Sequence, residues 1–268
     1  MFQRIIYFLL ILSVFSVAFA DDDYDDSPEA IHAGLDAAAM KKQVEYDRCP
    51  ACWFFGLGGG AAWVKPTNTT QRILADQYVT NSPQSSPMIM VHGGYRWGSH
   101  RHWLPDFYLG GRYRYFMTNY IRGNVLINAN PQQSNYTFSV PSTMHVFTLY
   151  GKLDLCRFDD FAPFVLMGAG FALNIFNPYS ELPNAGVAAR TSPVFGEKKT
   201  VNVAYEAGIG LDYYINTQLF LSAEYDYLNM GVLSSSVGAG AWSANSMSFG
   251  DMTSHSVLFS ATYLFHEE

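Results

Sequence analysis

From Thr200 to Tyr227 apolar and polar positions alternate with a period of two. Val201, Val203, Tyr205, Ala207, Ile209, Leu211 and Tyr213 form one row. Asn202, Ala204, Glu206, Gly208, Gly210, Asp212 and Tyr214 form the other. After Ile215-Asn216-Thr217-Gln218 the alternation resumes, with Leu219, Leu221, Ala223, Tyr225 and Tyr227 against Phe220, Ser222, Glu224 and Asp226. Successive side chains of a strand point to opposite faces. The pattern therefore predicts a hairpin with one apolar face and one face that carries carboxylates. Its strands exceed the length of about five or six residues common in soluble sheets. Strands of roughly nine to eleven residues, apolar on one side only, suit a barrel that spans a bilayer.

The same alternation recurs along the chain. Phe55, Leu57, Gly59, Ala61 and Trp63 oppose Phe54, Gly56, Gly58, Gly60 and Ala62 from Trp53 onward. The second strand is expected over 88–97, with Ile89, Val91, Tyr95 and Trp97 against Met90, His92, Gly94 and Arg96. The third runs near 103–117, with Phe107, Leu109, Tyr113 and Tyr115 against Asp106, Tyr108, Arg112 and Arg114. The fourth covers 144–155, with Phe147, Leu149, Leu153 and Leu155 against Thr148, Tyr150, Lys152 and Asp154. The fifth covers 161–174 and the eighth 256–265; the pair around 200–227 supplies the sixth and seventh. Connections alternate in length: 65–87, 118–142, 175–199 and 229–254 are long, whereas 98–102, 156–160 and 215–218 are short. Eight strands so joined predict an all-β fold, an eight-stranded antiparallel up-and-down transmembrane β-barrel with short periplasmic turns and longer external loops. Val125-Leu126-Ile127 and Tyr136-Thr137-Phe138 predict that the third and fourth strands extend above the membrane as a hairpin. The 229–254 segment, mostly Gly, Ala and Ser, reads as an adaptable loop.

Composition fits this picture. Charged residues are 15% and aromatic residues 16% of the 268, low and high respectively for a soluble domain. Residues 53–265 carry twelve acidic and twelve basic groups, so the predicted barrel is neutral and no basic footprint for nucleic acid exists. The net charge of −7 comes from the ends. Residues 1–20, with Arg4, the apolar run 5–15 and Ala18-Phe19-Ala20, read as a secretory signal peptide. Residues 21–52 read as a short periplasmic N-terminal extension: an acidic run, then either a short helix over 28–44 begun by Ser27-Pro28 or a disordered segment. The barrel domain is expected over 53–265.

The segment AYEAGIGLDYYINTQLFLSAEYDYLN resembles the penultimate hairpin of the opacity/outer-membrane-protein-A superfamily of eight-stranded barrels. FFGLGGGAAW resembles that family's first strand. HSVLFSATYLF resembles its last, which normally ends in an aromatic residue, whereas here His266-Glu267-Glu268 follow Phe265. The resemblance covers about residues 53–265, loops excepted. It implies an outer-membrane location and no particular reaction.

The chemistry-bearing positions fall on the inward row. Asp106, Asp154, Glu206, Asp212, Glu224 and Asp226 face Arg96, Arg112, Arg114, Lys152 and His92. They line an ion pathway or form a salt-bridged plug. The plug is favoured, because eight strands leave room for little beyond their own side chains and buried charges need partners. Cys49-Pro50-Ala51-Cys52 is a C-x-x-C motif without the βαβ context of a redox domain. A structural disulfide, from Cys156 to Cys49 or Cys52 or within the motif, is the favoured reading. A zinc site would need His100 or His102 as a fourth ligand. Ser254-His255-Ser256 is the one cluster of nucleophile and base near the outer rim. Outward Trp63, Tyr95, Trp97, Tyr113, Tyr225 and Tyr263 read as interface girdles. Asn68-Thr69-Thr70 and Asn135-Tyr136-Thr137 have the form of glycosylation sequons but read as loop residues. No cofactor motif is present. The expected role is structural or surface interaction through four external loops, with a narrow porin as the alternative and an enzyme third. Expected partners are outer-membrane lipid and lipopolysaccharide, with a host or cell-surface ligand at the loops. A monomer is expected.

Overall fold

The computed structural model describes residues 51–81, 83–98, 106–158 and 160–265. The expected signal peptide, the 28–44 helix, Cys49, His100, His102 and the C-terminal His266-Glu267-Glu268 lie outside them. Eleven strands follow one another: β1 (Ala51–Pro66), β2 (Thr70–Ile73), β3 (Asp76–Asn81), β4 (Gln84–Trp97), β5 (Phe107–Leu126), β6 (Ser134–Asp154), β7 (Phe161–Phe176), β8 (Ser180–Pro183), β9 (Lys198–Tyr214), β10 (Leu219–Val237) and β11 (Ser246–Phe265). Eight of them, β1, β4, β5, β6, β7, β9, β10 and β11, pair antiparallel into a closed ring.

The register fixes the barrel's geometry. Partners followed once around the ring run Trp53, Tyr95, Leu109, Gly151, Met167, Ala207, Tyr227, His255 and back to Trp63. The circuit closes ten residues above its start. For eight strands that stagger corresponds to a tilt of about 40°, within the usual range, so each residue climbs about 2.5 Å along the axis. Trp53 and Trp63 then bracket a band about 25 Å tall, the height of an outer-membrane hydrocarbon layer.

The side-chain rows fall as the period-two pattern requires. Trp53, Phe55, Leu57, Ile89, Leu149, Met167, Ile209, Leu221 and Phe259 are exposed on the outside, and Arg112, Arg114, Glu206, Glu224 and Asp226 are buried inside. The turn 215–218 is held by Asn216, whose Oδ1 accepts from the backbone N–H groups of Gln218 and Leu219 at 2.8 Å each.

Three of the four connections expected to be long hold more structure than the composition suggests. β2 and β3 form a hairpin within 65–87, and β3 pairs with the upper part of β5. β8 pairs with the upper part of β6 within 175–199. The 229–254 segment is not an open loop. β10 runs to Val237 and β11 starts at Ser246, with register shifts beyond Asn229. Gly231 and Gly250 take positive φ there, 67° and 66°, a conformation that glycine reaches without strain. The shifts keep Met230, Leu233, Met247, Phe249 and Met252 buried. Inward apolar residues spaced by bulges override the Gly/Ser-rich composition. The β5–β6 hairpin expected above the membrane is formed, from Asn119↔Ser142 to Leu126↔Ser134.

Candidate functional site: a stratified lumen and a folded cap

The interior is built in three layers. At the periplasmic base Phe54, Tyr108, Tyr150, Ala162, Tyr214, Phe220 and Leu264 pack together. Set among them, Lys152 pairs with Asp212 and lies 3.6 Å from Asp154. Ser222 donates to Asp212 at 2.7 Å. Tyr108 and Tyr214 donate to Asp154 at 3.3 and 3.2 Å. The Lys152 ammonium also sits over the rings of Phe164, Tyr108 and Phe220 at 4.2, 4.5 and 4.9 Å, where the ring quadrupoles attract a cation. Arg96 pairs with Asp106 at the lower rim.

In the middle layer Arg112 makes a two-pronged contact with Glu224, at 2.7 and 3.1 Å. It also stacks 4.4 Å over Tyr150. Arg114 pairs with Glu206, and with Asp226 at 2.6 Å. Thr148 donates to Glu206 at 2.7 Å. His92 shares a hydrogen bond with the Tyr150 hydroxyl at 2.9 Å. These side chains come from β4, β5, β6, β9 and β10 and meet across the lumen. All ten predicted charged positions thus fall into these two layers. Thr148, Tyr150, Ser222, Tyr108 and Tyr214, which complete the hydrogen bonding, are neutral; nothing in the charge pattern singled them out.

Above the charges the lumen turns apolar. Met88, Met90, Phe116, Met144, Val146, Ala172, Ala204, Leu228 and Leu258 fill it and run into Ile73, Tyr78, Ile121, Val125, Phe138, Phe176, Phe195 and Phe249 higher up. Between the two charged layers lies a void of about 10 Å³ bounded by His92, Arg112, Lys152 and Glu224, room for about one water molecule. The larger recess, about 610 Å³, is on the outer wall over Gly93 and Gly111, beside Phe55, Tyr113, Phe147 and Leu149.

The apolar upper layer is the core of an external cap. Arg190 ties it together. Its guanidinium meets Glu181 at 2.7 Å and Asp76, stacks 4.7 Å over Tyr136 and lies 5.9 Å from Trp242. Those contacts join all four external connections. Backbone bonds add to them: Asn68 and Thr67 donate to Phe249 and Asp251 of β11, Tyr179 donates to Phe195, and Ser236 donates to Gly196. Burial, with Glu181 beside Tyr179, pushes the phenols of Tyr78 and Tyr179 well above their ordinary ionisation range.

The remaining candidates separate. Ser254 and Ser256 are buried in the lumen, 3.1 Å apart. His255 points outward and shares a 2.9 Å hydrogen bond with Tyr225. Histidine and serines lie on opposite faces of β11, so they form no catalytic pair. Tyr113 and Tyr225 lie six residues above the basal Phe107 and Leu219, within the lipid-facing band and not at its edge. Their hydroxyls reach His145 and His255 at 2.9 Å, which spares a polar group an unpaired place in hydrocarbon. Trp63, Tyr95, Trp97 and Tyr263 lie at the band's edges. Cys52 is buried at the base and Cys156 carries an exposed thiol in the β6–β7 turn. Among the described residues no cluster of His, Cys, Asp or Glu has the makings of a metal site.

A closed ring of eight tilted strands with an apolar exterior, a paired-charge interior and external loops defines an integral β-barrel of the outer membrane. Residues 53–265 match the family described as outer membrane protein beta-barrel domain, and the chain belongs to that family. A comparison with curated proteins gives no match. Among solved structures the chain is similar to Neisserial surface protein A (12% identity, 80% of this chain and 99% of that one, TM-score 0.41). It is also similar to Ail, the attachment invasion locus protein of Yersinia pestis (10%, 81% and 100%, 0.37), and to OprG from Pseudomonas aeruginosa (12%, 81% and 97%, 0.41).

Proposed function

We propose that this outer-membrane protein is a closed, non-enzymatic scaffold that holds a folded external cap above the membrane as an interaction surface. The observation that carries the reading is the apolar layer of Met88, Phe116, Met144, Val146 and Leu228 between the charged lumen and the outside. An ion that crossed it would exchange the paired charges below for apolar side chains and a few neutral groups such as Asn174 and Ser254, at a cost of several kcal/mol. The paired charges below are a structural plug, and the cap carries the contact with partners: a ligand on another cell or host surface, and lipopolysaccharide around its base. The separation of His255 from Ser254 and Ser256 supports the absence of an acyl-transfer site.

Refolded protein in planar bilayers tests the closure. No stable conductance is expected. A steady, ion-selective conductance that changes when Glu206 and Asp212 become Gln and Asn would instead establish a narrow porin. Attachment of cells that display the protein tests the surface role. Replacing residues 238–245 by a short Gly-Ser turn should reduce attachment without reducing the amount of protein in the membrane.

A further inference from the structure

The lipid-facing rows do not end at one level. Outward residues can be counted upward from the base of each strand, two residues at a time. On β1 the row from Trp53 reaches Trp63 at ten residues and Lys65 at twelve. On β4 the row from Trp97 reaches Ser85 at twelve. On β6 the row from Leu155 reaches His145 at ten and Thr143 at twelve. On β11 the row from Phe265 reaches His255 at ten. β7 and β9 differ. From Phe161 the row passes Phe171 and continues through Leu173 and Ile175, twelve and fourteen residues up. From Tyr213 it passes Tyr205 and continues through Val203 and Val201, and only at fourteen residues does Lys199 end it. Leu173 pairs with Val201 and Phe171 with Val203. Val203 and Val201 are 75% and 71% exposed, among the most exposed apolar side chains of the wall, and Val232 of β10 lies beside them.

We propose that the hydrocarbon of the outer leaflet climbs the β7–β9 wall to Val201 and Ile175, about 5–10 Å higher than on the opposite β1–β4 wall, with Lys199 at the lipid headgroups. Continuity argues for lipid: no polar side chain interrupts the outward row from Tyr213 to Val201. Size argues against a second copy of the chain. Six side chains on three strands fall well short of the roughly 800 Å² per partner that a stable interface needs. The cations agree. Lys65 ends the row directly above Trp63, and Lys199, loosely paired with Glu197 at 3.5 Å, ends it directly above Val201. A lysine at the edge of a hydrocarbon layer lays its stem on the apolar wall and puts its ammonium among anionic headgroups. β7 and β9 stand opposite β1 and β4 in the ring, so a barrel leaning toward the β7–β9 side satisfies both edges at once.

Nitroxide labels read the level directly. Val201→Cys, Ser85→Cys and Phe259→Cys would be labelled in a chain with Ser at positions 49, 52 and 156, in vesicles of phosphatidylethanolamine and phosphatidylglycerol. The label at 201 should collide preferentially with oxygen, as at 259, whereas the label at 85, equally far up its strand, should collide preferentially with a water-soluble nickel chelate. If the cysteine-free chain does not refold, benzoylphenylalanine at position 201 in the native-cysteine chain gives the same answer; a lipid adduct is expected by mass. Nickel-chelate access at 201, or protein–protein adducts in place of lipid, would overturn the proposal.

Discussion

Arg114 is fully buried and holds Glu206 and Asp226, both of which are also shut off from water. Replacing it with Met would strip Asp226 of its ion-pair partner and leave Glu206 with only Arg112, 3.6 Å away. Removing one member of a buried ionic group costs about 3–5 kcal/mol. Arg114→Met should lower the urea midpoint of unfolding by a corresponding amount, read from the heat-modifiable gel mobility of the folded barrel. Arg114→Met with Glu206→Gln and Asp226→Asn should recover most of that loss, because no charge is then stranded. The ten charged lumen positions were legible in the sequence because a period of two puts every second residue on one face. Which cation meets which carboxylate was not. Arg112 and Glu224 are 112 residues apart and meet only because the ring closes with its particular stagger. The phenols of Tyr113 and Tyr225 were read as girdle residues because a sequence gives the face of a side chain and not its depth.

At the scale of the strand, two glycines with the same composition signal behave differently. A Cβ on Gly170 would collide with the backbone carbonyl of Phe147 on the neighbouring strand, whereas one on Gly111 meets nothing within 4 Å. Gly170→Ala should therefore push β6 and β7 apart and reduce the folded fraction on refolding into detergent micelles. Gly111→Ala should change stability by less than about 1 kcal/mol. Equal loss in both variants would mean that the β6–β7 contact does not set the requirement. The eight wall strands could be read from alternation alone because each is long and one-sided. The β2–β3 hairpin could not. Its turn begins at Leu74, held at a φ of 55°, where a turn usually signals itself with Gly or Asn. The same holds for β8, four residues whose partners lie 41–47 residues earlier in the chain. Such short strands carry too few positions for a period to show, and only the core they cover makes them form.

At the scale of the molecule, the cap and the membrane barrel are one structure with two kinds of interior. Arg190→Ala would release Asp76 and Glu181 and the rings of Tyr136 and Trp242. Its side chain is partly exposed, so the expected loss is modest, about 1 kcal/mol. It should appear as faster proteolysis of the 184–193 segment while the barrel's heat-modifiability stays unchanged. Burial that raises Tyr78 and Tyr179 has a sign that can be checked. The neutral phenols are favoured in the fold, so their contribution is fully present below the free tyrosine value of about 10. It is lost as pH rises above that value. Subtilisin digestion of the cap should accelerate above about pH 10, and Tyr179→Phe should blunt the change.

One external stretch is bonded chiefly to itself. In the turn between β5 and β6, Asn130 donates to Ile127, Gln133 to Asn130, and Gln132 to the Asn130 side chain, while 131–133 are exposed. Foreign residues spliced between Pro131 and Gln132 would displace none of the ties that knit the other connections to Arg190. A short antibody epitope placed there should be bound on intact cells, with the barrel still folded. The same epitope between Asn184 and Arg190 should unravel its own platform. This turn is where the protein could carry a passenger.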